Sequence, residues 1–218
     1  MLELFKRYWL GFIIYLLVFI TGIILVITIP KLELHLLMNS SHTSSQDIFF
    51  KLITWLGDGW FALYFSLIFL LVRFRYSIML ILSFTISGLL AQLLKRFAFP
   101  EVMRPAAFLE LMPGLDTVAG VGLYHSLSFP SGHTTTAFAV LLLAGLIVER
   151  KLAFILGIIL AWCVALSRVY LSQHFLIDVL AGSLLGTLSA LFFYWYFHRL
   201  KPDWLDSSLI IILPGRKK

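Results

Sequence analysis

Apolar residues run along this chain in long blocks rather than in alternation. Tyr8–Ile29 is an almost unbroken apolar stretch that ends at Pro30 and Lys31. About 20 such residues in a helix span a ~30 Å hydrocarbon core. Further blocks at about Tyr76–Phe97, Gly132–Val148, Leu152–Val169 and Phe175–Phe197 predict four more helices. Trp60–Val72 is short for a span, so its helix is expected to begin before Gly57-Asp58-Gly59, near Phe49. In that turn, Asp58 either caps the helix or joins a site. Residues 31–48 are polar, with Asn39, Ser40, Ser41, His42, Ser44 and Ser45, and predict a connecting loop or a short interfacial helix. Pro100–Pro130 holds prolines and glycines and predicts a long connection. Its apolar part, Ala106–Leu127, would lie on the bilayer surface, line a lipid entry route, or pack over helix ends.

Composition turns this pattern into a fold class. The 218 residues are 61% hydrophobic and 13% charged, with a mean hydropathy of +0.97. Soluble domains run nearer ~45–50% apolar and ~25% charged. The expectation is an all-α polytopic membrane protein: one domain over residues 1–218, six transmembrane helices in one bundle, and a cytoplasmic tail at 201–218. The first apolar run is too long for the core of a cleaved signal peptide, so it reads as a retained helix. Cys163 stands alone in an apolar run, so an internal disulfide is excluded, and the chain has no Cys/His zinc spacing.

A net charge of +6 would suit nucleic acid in a soluble protein. In a membrane protein, Lys and Arg instead mark the cytoplasmic side. Lys6/Arg7, Arg73/Arg75, Arg150/Lys151 and Arg199/Lys201 bound alternate loops, and Arg216, Lys217 and Lys218 end the chain. This sets both termini in the cytoplasm. The opposite loops then carry Lys95, Arg96, Arg104, His125, His133, Arg168 and His174. A basic outer face departs from the rule, and it directs the search for chemistry there.

Three groups of residues stand on that face. Pro130-Ser131-Gly132-His133 opens a helix. Serine and proline favour a helix start, glycine permits close backbone approach, and free first-turn N–H groups bind anions. Arg168 closes one helix and His174 opens the next, with Asp178 four residues on. At that offset the two side chains share a helix face. A carboxylate there can fix one imidazole nitrogen and aim the other outward. A charged aspartate in a membrane helix costs roughly 2.5–3.5 kcal/mol, so Asp178 needs a partner. Lys95 and Arg104-Pro105 add cations beyond the third long helix. Arginine forks match phosphate oxygens, and lysine acts as a point charge. His125 reads as an ordinary loop residue.

In this order, the residues resemble the type 2 phosphatidic acid phosphatase family. Its pattern is Lys followed by Arg-Pro, then Pro-Ser-Gly-His, then Ser-Arg followed by His and Asp. The second and third parts match residue for residue, and the resemblance covers about residues 60–195. The first part departs: Lys95 and Arg104 stand two residues further apart than the family pattern. Either the loop carries an insertion or Arg96 shares the lysine's role.

The resemblance implies a membrane lipid phosphatase that transfers phosphoryl to water in two steps. His174 would be the nucleophile, Asp178 its orienting carboxylate, and His133 the acid and base. Lys95, Arg104 and Arg168, with Ser131 and Gly132, would hold the phosphate. No metal or other cofactor is expected, because cations and a helix N-terminus supply the positive charge and no carboxylate cluster suits magnesium. The implied partners are a lipid phosphate and membrane lipids, with no nucleic acid and no obligate protein. The implied location is a bacterial cytoplasmic membrane, with the active site at the outer face. The same motifs would serve a lipid phosphotransferase. The soluble vanadium haloperoxidases share them but lack such helices. From a different class, an anion transporter would use the outer cations as a vestibule.

Overall fold

The computed structural model describes residues 2–212. The basic end Arg216–Lys218 of the expected tail lies outside the described residues. The helices are α1 Leu2–Thr28, α2 Lys31–Met38, α3 Ser44–Ile53, α4 Gly59–Ile68 and α5 Phe74–Leu93. Then follow α6 Gly132–Ala137, α7 Leu143–Ile147, α8 Lys151–Tyr170, α9 Leu176–Arg199 and α10 Leu209–Ile212. A π turn, Leu94–Ala98, extends α5, and another, Phe138–Leu142, joins α6 to α7. There is no strand among the described residues.

Among the described residues, four helical stretches are long and apolar enough to cross a membrane: Leu2–Thr28, Phe74–Ala98, Lys151–Tyr170 and Leu176–Arg199. Ser44–Gly57 and Gly59–Leu71 form a fifth only if they count as one span bent by 60°. Gly132–Ile147 is apolar but shorter. The second long helix was expected to begin before the glycines, near Phe49; instead α4 begins at Gly59, and the helical residues before it form a separate segment set off by the bend at Asp58. The polar connection 31–48 contains α2 and the start of α3.

α9 is the central element, packed against α5, α6, α8 and α1. Phe138, Phe154, Ile158, Met79 and Leu80 are fully buried where these helices meet. Two crossings are so close that a side chain would collide with backbone. A Cβ at Gly157 would lie 2.4 Å from Leu141 O, and one at Gly186 would lie 2.3 Å from Thr135 O. Small residues at crossings are how helices associate in lipid, where apolar burial gives little drive. Hydroxyls add bonds between helices: Ser83 donates to Ala139 O at 3.2 Å, and Ser189 donates to Ser83 O at 2.9 Å.

The outside of the bundle is apolar. On α1, Leu16, Leu17, Ile20, Ile24 and Ile27 are exposed, Ile27 by 77%. A face of this extent would be an aggregation site in water and is suited to lipid tails. Trp55, Trp60 and Tyr64 are exposed around the bend at Asp58, as aromatic residues of a membrane interface are.

The polar ends of the bundle differ. At one end Arg7 donates to Glu149 O at 2.6 Å. Buried Arg75 pairs there with Asp206 at 2.6 Å and donates to the carbonyls of Phe197 and Leu200. That arrangement ties the turn Asp203–Asp206 to the start of α5. The other end gathers the residues singled out for chemistry.

Candidate active site

The site is built where α8 ends and α9 begins. Arg168 O accepts hydrogen bonds from two successive amides, Gln173 N at 2.9 Å and His174 N at 3.0 Å. This turns the chain sharply and sets His174 beside the first turn of α9. His174 is 2% exposed, and its Nδ1 lies 3.3 Å from Asp178 Oδ2. The same carboxylate oxygen accepts from Phe175 N at 2.9 Å and from the Ser128 hydroxyl. Asp178 therefore also caps α9, using the free amides of a helix N-terminus. Nδ1 of His174 thus carries the proton toward Asp178, and Nε2 keeps its lone pair. Burial pushes the His174 imidazole down to about 3, with Asp178 opposing that shift. The ring is neutral at physiological pH.

Ser131 opens α6. Its Oγ accepts from Thr134 N at 3.4 Å and from Thr134 Oγ1 at 2.9 Å, and its amide donates to Asp178 O at 2.9 Å. The hydroxyl oxygen is thus engaged in capping, and the loop before α6 is joined directly to α9. Outside its chain neighbours and its own helical turn, no atom of the described residues lies within 4 Å of where a Gly132 Cβ would be, so this turn is open to a ligand. His133 is partly exposed, with Nε2 4.0 Å from Asp58 Oδ2. Asp58 is the cap of α4, accepting from Trp60 N at 2.8 Å, and its other carboxylate oxygen faces His133.

Three cations surround these groups. Arg168 is 8% exposed, with one NH group on Thr54 Oγ1 at 2.9 Å and no partner for its Nε. Arg104 donates to the carbonyls of Ser126 at 2.9 Å, Gln173 at 3.1 Å and Leu127 at 3.4 Å. Burial lowers its pKa. Lys95 is 5% exposed and lies within Coulombic range of Arg104, Arg168 and Asp178. Its neighbour Arg96 is exposed. Lys95, not Arg96, therefore faces the other two cations. A cavity of about 340 Å³ opens beside the set, lined by Lys51, Thr54, Trp55, Asp58, His133 and Arg168.

The structure thus brings His174, Asp178, His133, Arg168, Arg104, Lys95, Ser131 and Gly132 to one end of the bundle. His125 is exposed, and its carbonyl accepts from Arg104 N. The apolar connection packs over helix ends. Val118 and Val121 lie with Tyr170 and Leu171, and Gln173 Nε2 donates to Gly122 O at 2.9 Å. Sequence reasoning missed Ser128, Thr54 and Gln173. Only Gln173 lies within the span of a motif, between Arg168 and His174. Ser128 and Thr54 belong to common residue types, and their importance comes from tertiary contact.

The site is a buried His–Asp pair facing cations at one end of a helical membrane bundle. The model of the PAP2 superfamily matches residues 76–202, and the chain belongs to that superfamily. It is 44% identical over 68 residues to the bacitracin transport permease protein BcrC of Bacillus licheniformis, covering 31% of this chain and 32% of that protein. It is 42% identical over 72 residues to phosphatidylglycerophosphatase B of Bacillus subtilis, covering 29% and 36%. The chain thus matches about a third of the length of these curated relatives. The fold also resembles the crystal structure of the first transmembrane PAP2 type phosphatidylglycerolphosphate phosphatase from Bacillus subtilis. The TM-score is 0.66 at 22% identity, covering 89% of this chain and 98% of that one.

Proposed function

We propose that this protein is a lipid phosphatase that hydrolyses a phosphomonoester or diphosphate through a phosphohistidine. The observation that carries the reading is the His174–Asp178 pair, which engages Nδ1, leaves Nε2 for attack and stands within Coulombic range of Arg104 and Arg168.

In the first step, His174 Nε2 attacks phosphorus and the bond to the leaving oxygen breaks, while His133 gives that oxygen a proton. Asp178 stabilises the ring as it becomes cationic. In the second step, water gives a proton to His133 and attacks phosphorus, and the P–N bond breaks to release phosphate and neutral His174. Lys95, Arg104, Arg168 and the Gly132 amide oppose the charge on the equatorial oxygens. Ser131 acts by holding the first turn of α6.

The bundle is read as one domain of six membrane-spanning segments, counting the bent pair and Gly132–Ile147 as one each. Both termini lie in the cytoplasm and the site faces outward, in a bacterial cytoplasmic membrane. The substrate class is phosphatidylglycerol phosphate, phosphatidic acid or undecaprenyl diphosphate. The phosphatase named among its relatives supports the first of these.

Purified protein in detergent is expected to release phosphate from such lipids, and His174→Ala to abolish release at normal yield. Asp178→Asn should lower the rate about 100-fold, in the range of lost orienting partners. A labelled phosphoenzyme should survive alkali and be lost in acid. Undiminished release by His174→Ala would overturn the assignment. The relative named as a transport permease favours a second reading, transport, for which the cations would form an anion vestibule. Against it, the cations gather at one end of the bundle, whereas transport sites sit near the midplane. Phosphate release in detergent, where no gradient exists, separates the two.

A further inference from the structure

The nucleophile's loop contains a strained residue. Ser172 has φ +52°, the left-handed region that side chains with a Cβ rarely adopt. Such strain persists only where surroundings over-determine it. Ser172 stands two residues before His174 and is 1% exposed. Its amide donates to Val169 O at 2.9 Å, and its hydroxyl lies 3.2 Å from His35 Nε2.

His35 belongs to α2, outside every matched motif. It is 2% exposed, and its ring meets Phe175 edge-on with centroids 5.2 Å apart. One helical turn on, Asn39 is equally buried and donates from Nδ2 to His35 O at 3.0 Å and to Val169 O at 3.3 Å. This one short helix therefore engages the loop at Val169, Ser172 and Phe175, on both sides of His174. Burial lowers His35 to about 4, so the ring is neutral and can accept the Ser172 hydroxyl hydrogen.

We propose that His35, supported by Asn39, is a positioning residue for the reaction. Its hydrogen bond holds Ser172 in the left-handed conformation, and that conformation aims His174 Nε2 at phosphorus. The proposal rests on the phosphatase reading of the site. α2 then serves catalysis without touching the phosphate, and its loss acts on the attack step rather than on lipid binding. Misplacement of a reacting group by about 1 Å is enough to cost on the order of 100-fold.

The test compares two substitutions at one position. Ser172→Ala keeps the Cβ and its strain but loses the hydroxyl. Ser172→Gly loses the hydroxyl and relieves the strain. Phosphate release from a short-chain phosphatidic acid in detergent is expected to fall in kcat by about 10- to 100-fold for Ser172→Ala, with KM changed less than about three-fold. Ser172→Gly should stay within about three-fold of wild type. His35→Ala should match Ser172→Ala, and His35→Gln, which keeps a polar atom near Nε2, should recover part of the loss. Adding Ser172→Gly to His35→Ala should restore most of the rate. Equal rates for Ser172→Ala and Ser172→Gly, or an undiminished effect of His35→Ala in the glycine background, would overturn the proposal. Vanadate binding to the same variants gives a readout that needs no turnover. The alanine variant should bind more weakly than the glycine variant, and equal binding counts against the clamp. Absence of phosphate release by wild type, with this vanadate order intact, would refute the phosphatase reading and leave the clamp standing.

Discussion

One carboxylate oxygen of Asp178 takes three hydrogen bonds, from His174, Phe175 and Ser128. The Ser128 hydroxyl also lies 3.4 Å from His174 Nδ1, so it fixes the carboxylate against the ring. Ser128→Ala is expected to slow phosphate release about 10-fold, the lower end of losses for partners that orient another group. A rate equal to wild type would remove Ser128 from the orienting chain. The buried His174 has a consequence in acid. Its folded pKa of about 3 lies below the ordinary 6.5, so the unfolded chain takes up the proton first. Its contribution to stability is complete above pH 6.5 and is lost progressively as pH falls toward 3. Nitrogen NMR of histidine-labelled protein should find the His174 ring neutral and unshifted from about pH 8 to pH 5. Titration of that ring near its ordinary value would contradict its burial.

The elements owe their places to a few close approaches. The turn Thr54–Gly57 reaches the site because Gly57 lies against α6, where a Cβ would come within 2.6 Å of His133 O and 2.7 Å of Val164 Cγ1. Gly57→Ala should push that turn away from α6, carrying with it Thr54, the partner of Arg168, and Asp58, which faces His133. We expect at least about a 10-fold fall in kcat/KM, since such positioning contacts act at short range. A catalytic constant like wild type would show that the turn tolerates displacement. The long helices were legible in the sequence because continuous apolar runs leave few alternatives. So were the residues of the second and third motifs, whose members lie close together in sequence and are placed by local turns at helix ends. Lys95 was less legible, because the π turn Leu94–Ala98 sets which of two adjacent cations faces inward, and nothing in the sequence marked that turn. The contributions of Thr54 and Ser128 depend on packing between segments distant in sequence. α2 was anticipated only as part of a connecting loop or a short interfacial helix, since eight residues of mixed character carry little periodic signal.

At the scale of the whole molecule, the two polar ends have different chemistry. One is held by Arg7 with Glu149 and by Arg75 with Asp206, and the other holds the cradle. The orientation proposed for the membrane is checked by single cysteines in a protein with Cys163 replaced. A cysteine at exposed Tyr124 should react with an impermeant reagent added outside intact cells, and one at exposed Lys151 should not. The reverse pattern would invert the topology. The shared acceptor at Arg168 O has a further consequence. Because one backbone turn carries both Arg168 and His174, their separation is set by covalent geometry and two hydrogen bonds. His133 approaches from α6, so its distance depends on how separate helices lean on one another. A thicker or thinner bilayer tilts helices against each other. In the proposed mechanism the mechanical compliance of the site therefore lies in the proton transfer by His133, while His174 and Arg168 move as one body.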